Sequence, residues 1–246
     1  MLDLPPGETD GLTVLAPYWR EGSPGVGKTL LGLHFVAEGA RLEEPTLFPG
    51  FLESVAQLRE QARVFGLDIE PAERTGRARF LVLPAHDLEA DYIAGLLYED
   101  VERRGVRRLA VDSAAELQRA IGATERKSGF LSALVTYLRS RQVTTYLTLD
   151  LPTIAGPTLE FAETPLSLIA ESLALLRNVE YRGQLHPVLG VLKMRFSDHE
   201  RGIYEYAINA GRGIEIVGPA PLGEGLLTGV ARPLVDIPFQ SQPGSR

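Results

Sequence analysis

The sequence predicts an α/β protein, with a mostly parallel central sheet, helices on both of its faces, and antiparallel strands at its C-terminal end. Three observations carry this. Up to residue 149, strand-like and helix-like segments alternate, as they do when parallel strands are joined by helical crossovers. A glycine-rich loop, Gly22–Thr29, stands between the first apolar run and a helical segment. Beyond residue 170, strand-like runs follow one another with glycine-bearing turns and no helices, the mark of hairpins.

The elements follow in order. Leu12–Ala16 is a short apolar strand. Thr29–Leu42 has helical spacing, with Leu30, Leu33, Phe35, Val36 and Ala40 apolar. Pro45–Leu52 reads as a strand in which Pro49, having no N–H, marks an edge or a bulge. Ser54 and Gln57 form a capping box for a helix that Gly66 ends. Arg79–Leu83 is a buried strand, and Asp87 caps a helix that runs to about Arg104 and stops at Gly105. Leu109–Val111 is a short apolar strand finishing on Asp112. Thr124 caps a helix through Arg139, and the β-branched run Val143–Leu149 is the next strand. Asp150–Thr164 is a loop. Ser172–Tyr181, Val188–Met194, Ile203–Asn209 and Gly213–Val217 are strands turned at Gly183 and Gly211–Gly213. Residues 1–217 are therefore expected to form a single domain, and 218–246, rich in Pro and Gly, an extended or mobile tail.

Composition narrows the function. With no cysteine among 246 residues, disulfides, thiolate metal sites and cysteine nucleophiles are excluded, and a cytoplasmic chain is expected. Met1–Gly11 has no basic segment followed by an apolar one, so it does not read as a secretory signal. No apolar run approaches the roughly 20 residues that cross a bilayer, so no membrane partner is expected. A formal net charge of −7 argues against nucleic acid as a partner.

Gly22-Ser23-Pro24-Gly25-Val26-Gly27-Lys28-Thr29 fits the phosphate-loop pattern G-x-x-x-x-G-K-[ST] throughout. Its glycines let successive backbone N–H groups turn toward phosphate oxygens, and the following helix adds the positive end of its dipole. Lys28 would reach the β- and γ-phosphates, and the Thr29 hydroxyl would ligate Mg²⁺. Ser23, Pro24, Gly25, Val26, Gly27, Lys28, Thr29 and Leu30 are the expected nucleotide contacts, with ATP and Mg²⁺ as the ligands. Asp112 ends an apolar strand about 80 residues later, where an acid beside a phosphate loop holds magnesium-bound water. In Lys193-Met194-Arg195-Phe196-Ser197-Asp198-His199, alternation puts Lys193 and Arg195 on one face. Periodicity alone reads this as a solvated edge strand; two cations on one face also suit a phosphate. The histidines lack metal-ligand spacing, His34 reads as a packed or surface residue, and Arg103, Arg104, Arg107 and Arg108 read as a solvated face at a helix end.

The phosphate loop, the helix Leu30–Ala40, the Phe51–Ser54 turn, Val111-Asp112-Ser113 and Leu192-Lys193-Met194-Arg195 together resemble the KaiC family, a branch of RecA-like P-loop ATPases. The resemblance covers about Gly22 to Val217. It implies a RecA-type core that holds ATP at the subunit interfaces of a homo-oligomeric ring, usually a hexamer, with a regulatory or signalling role through an unknown protein partner. Lys193, Arg195 and His199 match positions that touch the neighbouring subunit's nucleotide. The sequence also departs from the family. Of two adjacent glutamates expected after the second strand, the first is Leu52, which leaves Glu53 as the water-polarising base or as a capping or magnesium-shell residue. Pro17–Glu21 is interposed before the phosphate loop, Phe196 stands where the family has Gly, and Ala210 where an acid is frequent. Two other readings compete with an ATPase: an ATP-dependent assembly module without hydrolysis, and a recombinase-like DNA-binding ATPase.

Overall fold

The structure is a computed structural model and describes residues 12–15, 25–83, 88–122, 124–148, 170–195, 198–220, 223–224 and 232–233. Ser23, Pro24, His86, Asp87, Phe196, the Pro17–Glu21 segment, the Asp150–Thr164 loop and most of the tail lie outside these.

The chain runs β1 (Leu12–Leu15), α1 (Lys28–Arg41), β2 (Thr46–Gly50), α2 (Val55–Val64), α3 (Glu70–Arg74), β3 (Ala78–Val82), α4 (Ala90–Arg104), β4 (Arg108–Val111), α5 (Ala114–Ile121), α6 (Thr124–Ser140) and β5 (Thr144–Thr148). The strands β6 (Ser172–Tyr181), β7 (Gln184–Met194), β8 (Ile203–Asn209) and β9 (Gly213–Pro219) follow. In the tail, β10 (Gly223–Glu224) pairs with β11 (Arg232–Pro233).

One nine-stranded sheet is formed in the order β3-β2-β4-β5-β1-β6-β7-β8-β9. The strands from β3 to β6 are mutually parallel, and β7, β8 and β9 follow, each antiparallel to the strand before it. From β1 the chain steps toward the β3 edge, and from β3 it steps back. Right-handed crossovers in opposite directions put helices on opposite faces. The cores record this. Leu33 and Phe35 of α1, Leu58 of α2 and Ala72 of α3 pack with Phe48, Phe80 and Tyr146 on one face. Ile93 and Leu97 of α4, Leu117 of α5 and Leu131 and Leu138 of α6 pack with Leu47, Leu109 and Leu147 on the other. Fully burying each such side chain is worth about 1.5–3 kcal/mol. The reversal falls at the C-terminal ends of the parallel strands, the place where open α/β sheets bind ligands.

The expected capping box is present: Gln57 N–H reaches Ser54 Oγ and Ser54 N–H reaches Gln57 Oε1. Gly105, at φ +62°, ends α4, and the Arg182-Gly183 turn joins β6 to β7. Several expectations need correction. Pro49 lies neither at an edge nor at a bulge. β2 sits between β3 and β4, and its pairing with β3 runs without a register shift. The β2–β4 ladder pairs Thr46 and Leu47 and then resumes as the bridge from Gly50 to Asp112, so the missing donor falls in the gap. The cap residue of α4 is Glu89. Two short helices, α3 and α5, were not anticipated, and β7 begins at Gln184 rather than Val188.

The arginine cluster is largely ion-paired. Arg103 meets Glu99 at 2.7 Å, Arg104 meets the buried Asp100 at 2.7 Å, and Arg108 pairs with Glu44. Among the described residues no helix is long and apolar enough to cross a membrane.

Candidate nucleotide site

The phosphate loop enters α1 through two glycines that only glycine suits. Gly25 and Gly27 have φ of +109° and +86°, in the left-handed region where a Cβ is strained. Gly27 is the N-cap of α1 and, having no side chain, makes no side-chain cap bond to the helix. No acid lies in the first turn either. The positive end of the helix dipole there favours an anion.

Two buried tyrosines hold the loop from below. Tyr206 of β8 donates to the Val26 carbonyl at 2.7 Å, and Tyr146 of β5 donates to the Lys28 carbonyl at 3.1 Å. Burial raises the pKa of both, and for Tyr146 the Asp112 charge adds to it, so both remain donors. Ile208 and Ile214 press on Gly27: a Cβ built there would lie 3.1 and 3.2 Å from their Cδ1 atoms.

Asp112 is the centre of the polar constellation. It is buried at the end of β4, where Asp112 N–H reaches Pro49 O at 3.1 Å. The Thr29 hydroxyl donates to one carboxylate oxygen at 2.6 Å and the Thr148 hydroxyl to the other at 2.5 Å. Thr29 has a single hydroxyl proton, which Asp112 and Glu53 both have the geometry to accept, and its lone pairs remain for a cation. The peptide bond joining Asp112 to Ser113 is cis. Glu53 enters the same group from the turn after β2. Burial and the nearby Asp112 charge raise its pKa; hydrogen bonds from its own backbone and the Thr29 hydroxyl, and the Lys28 ammonium, oppose the shift. Leu52 beside it points into solvent, 75% exposed.

These donors fit magnesium held with a nucleotide. Thr29, Asp112 and Glu53 offer hard oxygens, and few of them, which suits an ion that keeps several waters and takes its other ligands from phosphates. Among the described residues no group of three or more His, Asp or Glu forms an all-protein metal site.

Lys193 and Arg195 are not brought to this site within the chain. Lys193 pairs in register with Leu173, close to where β6 meets Thr13 at the start of β1. Glu205, next to Tyr206, lies at the level of Arg177, four residues further along β6, or roughly 13 Å at 3.3 Å per residue. Thr148 is level with Leu15 and Ala174, one residue along β6 from the partner of Lys193, so the two cations are separated from the Asp112 group across the sheet, with β1 and β6 lying between β5 and β7. There the Lys193 ammonium donates to Ala170 O at 2.7 Å, Arg195 N–H donates to Glu171 O at 3.1 Å, and the Arg195 side chain is exposed. Partial burial and Arg195 lower the pKa of Lys193, and Glu171 raises it. His199 follows β7, half-buried, its N–H bonded to Asp198 Oδ1. The sequence reading did not single out Thr148, Tyr146 or Tyr206. A polar residue closing the apolar strand β5 was the available signal for Thr148; nothing local marked Tyr206.

A family model described as the KaiC ATPase matches residues 9–220. The circadian clock oscillator protein KaiC of Picosynechococcus sp. is 30% identical over 190 residues, covering 77% of this chain and 36% of that protein. The protein of the same name from Thermostichus vulcanus is 29% identical over 208 residues, covering 85% and 40%. The circadian clock protein KaiC3 of Synechocystis sp. is 27% identical over 208 residues, covering 85% and 41%. The chain therefore spans less than half the length of these relatives. With a RecA-like α/β sheet, a phosphate loop opening α1 and Asp112 hydrogen-bonded to that loop's threonine, the chain belongs to the KaiC family of ATPases.

Proposed function

We propose that this chain binds ATP with magnesium at the phosphate loop and hydrolyses it slowly, in a ring of copies in which Lys193 and Arg195 act on the neighbour's nucleotide. The observation that carries the reading is the Thr29–Asp112–Thr148 hydrogen-bonded chain at the glycine-capped N-terminus of α1. The N–H groups of α1 and the Lys28 ammonium receive the phosphates, and Gly25 and Gly27 let the backbone approach them. Thr29 and Asp112 are the residues that would hold magnesium, which when bound neutralises phosphate charge. Glu53 is the carboxylate that polarises the attacking water. Burial and the Asp112 charge raise its pKa, which makes its carboxylate a stronger base than an ordinary glutamate's. Lys193, held by Ala170 O, and the exposed Arg195 present charge outward, as groups serving another copy's phosphates would. His199 lies after the same strand and is assigned to the same contact. Regulation of a protein partner through ATP-dependent assembly is the output that suits a single such domain.

Phosphate release by the full chain with ATP and Mg²⁺ tests this. We expect slow turnover that Glu53→Gln lowers by about 10²-fold or more, with nucleotide affinity retained. Turnover equal to wild type in Glu53→Gln removes Glu53 from the chemistry.

One observation favours a second reading, nucleotide binding without hydrolysis: the exposed Leu52 stands where the family carries its first glutamate. On that reading wild type releases no phosphate and Leu52→Glu gains turnover. A Leu52→Glu protein no faster than wild type counts against it.

A further inference from the structure

The β8–β9 hairpin bears on the phosphate loop, and it is fastened to the loop's own helix. Ile214 N–H of β9 donates to His34 Nε2 of α1 at 2.9 Å. The contact is close on both sides of that bond. Gly213, at φ +72°, lies so flat on the imidazole that a Cβ built there would fall 2.2 Å from Nε2. Beyond it, Ile214 and its strand partner Ile208 reach Gly27. We infer that His34 is a positioning residue for the phosphate loop: by accepting the Ile214 N–H it holds the β8–β9 hairpin against Gly27, and so holds the loop in the form that receives phosphates. This rests on the nucleotide-binding reading above.

The bond requires a neutral ring with its proton on Nδ1. Burial, the largest influence, lowers the His34 pKa and keeps the ring neutral at physiological pH. Most of the charged groups on the elements packed around it are paired with one another. On α1, Glu38 meets Arg41 at 2.6 Å, and in the turn beyond it Glu43 meets Arg77 at 3.0 Å. On the hairpin, Arg212 meets Glu215 at 3.3 Å. Asp68, between α2 and α3, lines the same cleft of about 590 Å³ as His34, Glu38, Arg41, Glu43 and Arg77. Protonation would remove the acceptor and set two donors face to face. The folded-state pKa lies below the ordinary histidine value, so the bond is intact at neutral pH and is lost as pH falls through that lowered value.

The test uses the full chain and titrates Mg²⁺-ADP calorimetrically between pH 8 and pH 5. At pH 8, His34→Leu should bind about 3- to 10-fold more weakly than wild type, the range of one neutral hydrogen bond. His34→Gln should stay within about twofold, because its amide oxygen can accept the same N–H. As pH falls, wild-type affinity should drop relative to His34→Gln. Titration of the phosphates and of Glu53 is common to both proteins and cancels in that ratio. Equal affinity of His34→Leu and wild type at pH 8, or a ratio that does not change with pH, overturns the inference. Failure of wild type to bind at pH 8 overturns the nucleotide reading itself, and the loop-positioning role with it. Hydrogen exchange at the Ile214 amide, measured without nucleotide, reads the fastening directly. It should be faster in His34→Leu than in His34→Gln, and equal protection in the two overturns the role of His34.

Discussion

Two regions of the sheet are built differently. At the C-terminal ends of the parallel strands, Thr29, Glu53, Asp112 and Thr148 converge from four separate elements and are partnered largely with one another. Across the sheet, at the end of β7, Lys193 and Arg195 touch backbone at Ala170 and Glu171, Lys193 half-buried and the Arg195 side chain exposed. The first is a closed constellation shaped for a small anion and a hard cation. The second presents positive charge without a cavity of its own. On the function proposed above, these are two halves of a phosphate-transfer site that are completed only between copies.

The largest expected effect breaks that comparison directly. Arg195→Ala should lower turnover about 10³-fold, in the range of cations that act on a transferring phosphoryl group, and change nucleotide affinity little. Mixing Arg195→Ala with Lys28→Ala subunits should then restore turnover that neither shows alone, at junctions that join an intact loop to an intact Arg195. A mixture as inactive as its components would assign Arg195 to its own chain's site or to none. A smaller effect concerns acidity. Because burial and Asp112 raise the Glu53 pKa, turnover should climb with pH through a value above the usual carboxylate range and level off beyond it. A profile already flat in that region would separate Glu53 from the reaction. The smallest is Thr148→Val, which keeps the shape and removes one of two hydroxyl donors to Asp112. It should lower unfolding free energy by about 1.5 kcal/mol in urea titration, with nucleotide affinity weakened by less than tenfold. No change would mean that the Thr148 hydroxyl does not hold Asp112.

How much of this was legible in the sequence depended on distance along the chain. Gly22–Thr29 could be read because phosphate binding needs a fixed local spacing, and Asp112 because a strand leads directly to it. The supports of the loop could not. Thr148 is 36 residues from Asp112, Tyr206 is 180 from Val26, and His34 is 180 from Ile214. Only the fold brings such pairs together, so His34 read as a packed or surface residue. Pro49 was misjudged for a related reason: an edge is a property of strand order, and β2 acquires a neighbour on each side only when β4 returns. The short helices α3 and α5, of 5 and 8 residues, are too brief for periodicity to be decisive.

The contact between His34 and Gly213 has a consequence for how this protein can change. Any side chain at position 213 would strike the imidazole and would also have to adopt φ +72°. Any residue at 34 without an acceptor leaves the Ile214 N–H without the partner it now has. Single substitutions at either position therefore pass through a clash or a lost bond. Variants that alter one should carry a compensating change at the other, so the phosphate-loop helix and the last hairpin of the sheet are inherited as a unit, although most of the chain lies between them.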